Sequence, residues 1–276
     1  MSLVTTNRSL LLALLCAGLL TACSGRAPVL SGSDSAPARR LDPNTIADAT
    51  PRAEPKSTRG NPASYVVLGK RYYTLPSSRG YIERGIASWY GTKFHGRSTS
   101  SGEPYDMYAM TAAHKSLPLP TYVQVTNLRN GRSAIVKVND RGPFHDNRLI
   151  DLSYAAATKL GIVAEGTGLV EVRALDPGTP TTPAESPVIL ANQASLPAPP
   201  ALFVQVGAFS SRHNANQLSQ RLAGSLSQQV RIQQVDNQGQ RLYRVQIGPL
   251  ASVEQVDELS QSLPRLGIME TQVIID

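Results

Sequence analysis

Cysteine is nearly absent from this chain: two residues in 276, Cys16 and Cys23, both near the N-terminus. Beyond them the sequence can form no disulfide and no thiolate zinc site, so the fold must rest on its apolar core. Aromatic residues are also sparse, with one tryptophan and four phenylalanines. There is no acidic excess, since 27 Lys and Arg face 20 Asp and Glu, a net charge of +7. The longest apolar run, Leu10 to Leu20, is too short to cross a bilayer as a helix. Neither HExxH nor GxSxG occurs, which argues against a zincin and an α/β-hydrolase. The 41% hydrophobic content is enough for a core and excludes wholesale disorder.

Arg8 followed by the apolar run and by Leu20-Thr21-Ala22-Cys23 reads as a secretory signal over residues 1–22. The tetrapeptide resembles the bacterial lipobox. That resemblance implies cleavage before Cys23 and acylation of its thiol and amine, a stable two- or three-chain anchor. Ser24 after it points to sorting to the outer membrane, with the protein facing the periplasm. Cys16 then leaves with the signal, and the mature chain has no thiol.

Composition divides the rest into four parts. Residues 23–64, the lipidated cysteine and a stretch rich in Ser, Pro, Ala and Gly, read as a flexible tether. Residues 65–176 hold the single tryptophan and many short β-type runs. Residues 177–200 carry seven prolines and read as a stiffer linker. Residues 201–276 regain periodicity. The segment 65–176 has 14 Lys and Arg against 9 Asp and Glu, whereas 201–276 has 6 of each. A basic exported domain suits an anionic envelope polymer or headgroup; export argues against nucleic acid.

The C-terminal segment repeats itself. Phe203-Val204-Gln205-Val206-Gly207 is echoed by Arg244-Val245-Gln246-Ile247-Gly248. Each run precedes a helical stretch, Ser211 to Leu226 with a Leu218, Leu222, Leu226 stripe, and Ser252 to Leu263. Strands at Val230 to Val235 and Met269 to Ile275 complete a ferredoxin-like βαββαβ order, with helices on one sheet face only. Alternation aims Val204, Val206, Val245 and Ile247 at the helices, and Phe203, Gln205, Leu242, Arg244 and Gln246 outward. These residues resemble the SPOR domain, a peptidoglycan-binding module. The resemblance implies binding of glycan strands stripped of stem peptides, as accumulate at the division septum, through Gln205, Leu242, Arg244 and Gln246. The plainer reading is that Gln205 and Arg244 merely solvate an open sheet.

In the first domain, Tyr65 to Leu68 and Arg71 to Thr74 suggest a hairpin turning at Gly69-Lys70. Strand patterns follow at Gly85–Gly91, Tyr122–Val125, Ser133–Val138, Ile150–Ser153 and Val170–Leu175. One short helix, Tyr154 to Leu160, stops at Gly161. Many short strands with one helix read as a small closed barrel. Ala87-Ser88-Trp89-Tyr90-Gly91, Ser101-Gly102-Glu103-Pro104-Tyr105-Asp106, Thr111-Ala112-Ala113-His114, Val138-Asn139-Asp140-Arg141-Gly142-Pro143-Phe144 and Arg148-Leu149-Ile150-Asp151-Leu152-Ser153 resemble the rare lipoprotein A family. That resemblance implies a mainly β chain, a six-stranded double-psi β-barrel followed by the α+β SPOR domain.

It also implies lytic transglycosylase activity with Asp140, Glu103, Asp106 and His114 as catalytic residues, and no cofactor or metal. In that reaction the muramyl C6 hydroxyl attacks its own C1, so one carboxyl can serve first as acid and then as base. Asp140, between a strand and the Gly142-Pro143 turn, is the first candidate for that role. Asp106 and His114 could orient one another. On local sequence alone the plainer readings lead: Asp140 bonding a turn or pairing with Arg141, Glu103 and Asp106 as solvated loop charges, His114 as a satisfied buried histidine. The resemblance reverses that order. A non-catalytic septal binding lipoprotein is the competing class; a hydrolase using the same carboxylates is a third. His95, His114, Asp140 and His145 show no metal-ligand spacing.

Overall fold

Strict alternation of apolar and polar residues builds the first domain. In the computed structural model, which describes residues 35–176, 200–237 and 239–276, six strands close into a barrel. They are β3 (Ile82–Tyr90), β4 (Thr111–His114), β5 (Thr121–Asn127), β6 (Ser133–Asp140), β7 (Ile150–Ser153) and β8 (Thr167–Ala174). Their order round the barrel is β3-β7-β4-β6-β5-β8. Two pairs, β3 with β7 and β4 with β6, are parallel, and the others antiparallel. The interior is filled by Ala87, Ala112, Val123, Val125, Val136, Val138, Ile150, Leu152, Val170 and Val172. Small residues at 87 and 112 let so few strands close without a void.

Helix α1 (Tyr154–Leu160) lies where the sequence puts it. Ser153 Oγ accepts from the Ala156 amide at 3.2 Å, and Gly161, at φ 73°, ends it. A separate hairpin, β1 (Ser64–Val67) and β2 (Lys70–Tyr73), precedes the barrel. Its turn is Leu68-Gly69, one residue earlier than expected, with both residues at positive φ (50° and 79°). A two-residue turn with that geometry matches the twist of the strands, which overrides the cost at Leu68.

Residues 35–64 correct the expectation of a flexible tether. They lie along the barrel wall, with Leu41, Ile46 and Ala49 packed on its core. The Ala49 amide donates to Ile135 O at 3.0 Å, Asp48 pairs with Lys159 at 2.7 Å, and Tyr122 donates to Glu54 at 2.5 Å. The Ser57 amide donates to Leu119 O at 2.8 Å. Composition hides this because the segment is held by hydrogen bonds and three small apolar anchors, not by a periodic face. The signal at 1–22, Cys23 and the linker before Pro200 lie outside the described residues.

The C-terminal domain is β9 (Leu202–Phe209), α2 (Arg212–Ala223), β10 (Val230–Asn237), β11 (Gln240–Leu250), α3 (Val253–Ser262), a 3-10 turn and β12 (Gln272–Ile275). The antiparallel sheet runs β10-β11-β9-β12, the ferredoxin-like arrangement expected. Val204, Val206, Val245 and Ile247 are buried with Leu218, Leu222, Val256 and Leu259 of the helices. The last strand is shorter than expected, and Met269 is exposed. Among the described residues no helix is long and apolar enough to cross a membrane.

Candidate active site

Pairing register assembles one row of side chains across four strands. Ser88 on β3 faces Asp151 on β7, Asp151 faces Ala113 on β4, and Ala113 faces Asp140 on β6. Neighbours in register share a face, and here it is the outer face, because Ala87, Ala112, Ile150 and Val138 fill the interior. Two carboxylates thus stand two strands apart, their Cα atoms about 10 Å from each other, with only the Ala113 methyl between. Between Ala112 and Ala113 of β4 the pairing passes over Asn139 of β6, a bulge that re-aims the end of β6.

Asp140 Oδ1 accepts from the Ser100 amide at 2.7 Å, the Ser100 hydroxyl at 2.6 Å and the Arg141 amide at 2.7 Å. Its Oδ2 accepts no hydrogen bond among the described residues. Arg141 does not pair with this carboxylate through its guanidinium, which donates to Gly60 O, Leu117 O and Asn61 Oδ1 at 2.8, 2.5 and 3.1 Å. It ties the strand end to the preceding hairpin's approach and frees Asp140 for other work.

The Ser100 loop also delivers Glu103, whose carboxylate accepts from Asn139 Nδ2 at 2.7 Å and Lys137 Nζ at 2.8 Å. Partial burial pushes its pKa up, but the bonds from Asn139 and Lys137 and the lysine charge outweigh that and hold it below the usual glutamate value. Glu103 is therefore ionised near neutral pH and has no proton to donate.

Asp106 and His114 do not orient one another. Asp106 caps the Tyr108 amide at 2.9 Å and lies 3.7 Å from exposed His95. His114 is buried; its Nδ1 accepts from the Ser116 and Leu117 amides at 3.2 and 3.0 Å. The ring proton must then sit on Nε2, 2.9 Å from the Tyr81 hydroxyl, which donates to Glu83 at 2.8 Å. Burial, then the charges of Arg141 and Lys115, push the His114 pKa down to about 3. A neutral imidazole of this kind positions neighbours and does not act as an acid. Because the folded pKa lies below the unfolded value of about 6.5, the unfolded state binds the extra proton between pH 6.5 and 3. Stability therefore falls as pH drops through that window, at up to about 1.4 kcal/mol per pH unit. His114→Asn keeps the acceptor for both amides and removes this slope; urea midpoints at pH 4.5 and 6.5 measure it.

Two residues escaped the sequence reading. Asp151 accepts from Ser88 Oγ and forms the second carboxylate of the row. Tyr90, two residues beyond Ser88 on the same face, stacks on Tyr105 at 4.0 Å. Its hydroxyl and that of Thr111 are buried close to one another, and neither makes a well-formed hydrogen bond among the described residues. Burial, then the fields of Tyr105, Asp140 and Asp151, push the Tyr90 pKa well up. The hydroxyl thus feels both carboxylates, with the Thr111 hydroxyl as its polar neighbour.

Known proteins share this architecture. The family model described as lytic transglycolase matches residues 82–174, and the SPOR domain model matches 198–274. The endolytic peptidoglycan transglycosylase RlpA of Pseudomonas aeruginosa strain UCBPP-PA14 is 40% identical over 90% of this chain and 91% of its own length. This chain belongs to the RlpA family of endolytic peptidoglycan transglycosylases. The Vibrio cholerae RlpA is 44% identical over 83% of this chain and 81% of its own. A crystal structure of the SPOR domain of RlpA from Pseudomonas aeruginosa matches 26% of this chain and 96% of that chain, at 30% identity and a TM-score of 0.26.

The SPOR sheet of this RlpA-family chain corrects one expectation. Gln246 is fully buried, accepting from Arg231 Nε at 2.8 Å and donating to Gln233 at 3.1 Å. Phe203 is buried under the Arg231 guanidinium, 3.3 Å from its ring centroid. Strand pairing aims both at the open face, and a long neighbouring side chain then covers them. Gln205, Leu242 and Arg244 remain partly exposed. Gln205 Oε1 is itself buried and has no hydrogen-bond partner among the described residues. Arg231 and Gln233, missed earlier, belong to the same face, because they pair in register with Gln246 and Arg244.

Proposed function

We propose that the barrel cleaves the β-1,4 bond between N-acetylmuramic acid and N-acetylglucosamine in glycan strands stripped of stem peptides, leaving 1,6-anhydro ends. The SPOR sheet holds such strands at the division septum through Gln205, Leu242 and Arg244 with Arg231 and Gln233, from an outer-membrane anchor on Cys23. The observation that carries the reading is the Asp140 carboxyl, one oxygen held by three donors and the other accepting no hydrogen bond among the described residues. A proton on Asp140 resides on Oδ2 and passes to the departing glucosamine O4 as the glycosidic bond breaks. The resulting carboxylate then takes the proton of the muramyl C6 hydroxyl as its oxygen bonds C1, so one group serves both steps. Asp151 and ionised Glu103 face the positive charge that develops on the muramyl ring. Asp106 and His114 act at one remove, by holding loop and strand ends.

Mass spectrometry of amidase-stripped strands incubated with the full chain in detergent tests this. Anhydro-muramyl ends are the expected product. Reducing ends identify a hydrolase, and intact strands that sediment with the protein identify a binding lipoprotein.

A further inference from the structure

The SPOR domain is docked on the barrel. Arg148, in the loop that follows the Asp140 turn, grips Asp257 of α3 with two bonds of 3.0 and 2.7 Å, and Asn147 adds a third at 3.1 Å. The Arg148 side chain is only 10% exposed. Ile86 and Leu169 of the barrel are buried in the same apolar cluster as Leu202 and Val253. These residues lie in one compact unit, and β12 runs beside β3.

This docking lines up two polar rows. Across the SPOR sheet, Gln272, Gln205, Gln246 and Arg231 stand in one register line over β12, β9, β11 and β10. Its barrel-side end, Gln272, also lines a cleft of about 190 Å³, whose other wall includes Glu83, Arg84, His114, Lys115 and Asp146. Lys115 is half-buried, donates to His145 O and Arg148 O at 3.2 and 2.6 Å, and makes no ion pair among the described residues. Burial and the charge of Lys70 push its pKa down, while Asp146, Asp151 and Glu83 act the other way. Asp146 is held by Lys70 at 2.5 Å, so Lys115 is a partly desolvated ammonium with acidic neighbours but no salt bridge of its own among the described residues, and beside amides it suits a carboxylate borne on a sugar.

We propose that this cleft is a glycan subsite joining the two rows, with Lys115 facing the lactyl carboxylate of a muramic acid residue, so that the strand held by the SPOR sheet is the strand the barrel cuts. The inference rests on the proposed substrate. Docking replaces a loose search by a fixed approach, which raises the effective concentration of the held strand.

The test compares kcat/KM on long stripped strands and on short glycan fragments, using the full chain in detergent. The parent favours long strands by roughly 10²-fold. Asp257→Arg undocks the domain and brings that ratio to within a few-fold of one, with the short-fragment rate unchanged. The charge-swapped Arg148→Asp/Asp257→Arg pair restores the preference. Lys115→Met lowers kcat/KM on long strands about tenfold through KM. A parental ratio in both Asp257→Arg and Lys115→Met overturns the track. Should the parent cut nothing, the proposed activity falls, yet the track still requires tighter binding of long than short strands and loss of that difference in Lys115→Met. Equal affinities sink it.

Discussion

Asp140→Asn releases anhydro-muramyl ends roughly 10³-fold more slowly than the parent, the range expected for loss of a general acid-base. The asparagine carbonyl can still accept from Ser100 and Arg141, which hold Oδ1 now. The loop that carries Glu103 therefore stays in place. What disappears is the free oxygen, replaced by an amide that can neither carry nor accept the transferred proton. Sedimentation with stripped strands is unchanged, since the SPOR sheet is untouched. Asp151→Asn costs less, roughly 10²-fold, because a dipole still faces the developing charge. If Asp140→Asn cuts as fast as the parent while Asp151→Asn is dead, the acid has been assigned to the wrong end of the row.

Much of this architecture is written in short-range pattern. Ser133 to Asp140 alternates so cleanly that β6 and its inward valines follow from the sequence. The Ser153 cap and Gly161 stop bound α1 to the residue. The repeat of Val-Gln-Val-Gly and Val-Gln-Ile-Gly places both inner SPOR strands. What escapes is set by pairing between distant segments. Asp151 reads as an ordinary outward polar residue of Ile150-Asp151-Leu152-Ser153, and only the register of β7 against β4 sets it across from Asp140. Gln246 is buried by Arg231, fifteen residues away. The segment 35–64 lacks periodicity because separate hydrogen bonds, an ion pair and a few apolar anchors tie it to the barrel wall. In each case local propensity is satisfied and the deciding term is tertiary.

Tyr90→Phe separates function from folding more sharply than any carboxylate variant. A buried hydroxyl without a well-formed hydrogen bond costs the free protein about 1–3 kcal/mol, and Tyr90 Oη, with the Thr111 hydroxyl as its near neighbour, is such a group. The ring's stacking on Tyr105 at 4.0 Å survives in phenylalanine. The variant is therefore at least as stable as the parent in thermal unfolding, where most buried substitutions destabilise. Catalysis moves the other way. The hydroxyl is covered in the free protein and lies in the fields of Asp140 and Asp151, so a substrate oxygen that displaces this cover and seats between the two carboxylates can accept from it. Loss of one preorganised donor costs roughly 10²-fold in kcat. A stable, slow Tyr90→Phe places the hydroxyl on the substrate; a destabilised variant with parental kcat shows that the hydroxyl is structural and that cleavage proceeds without it.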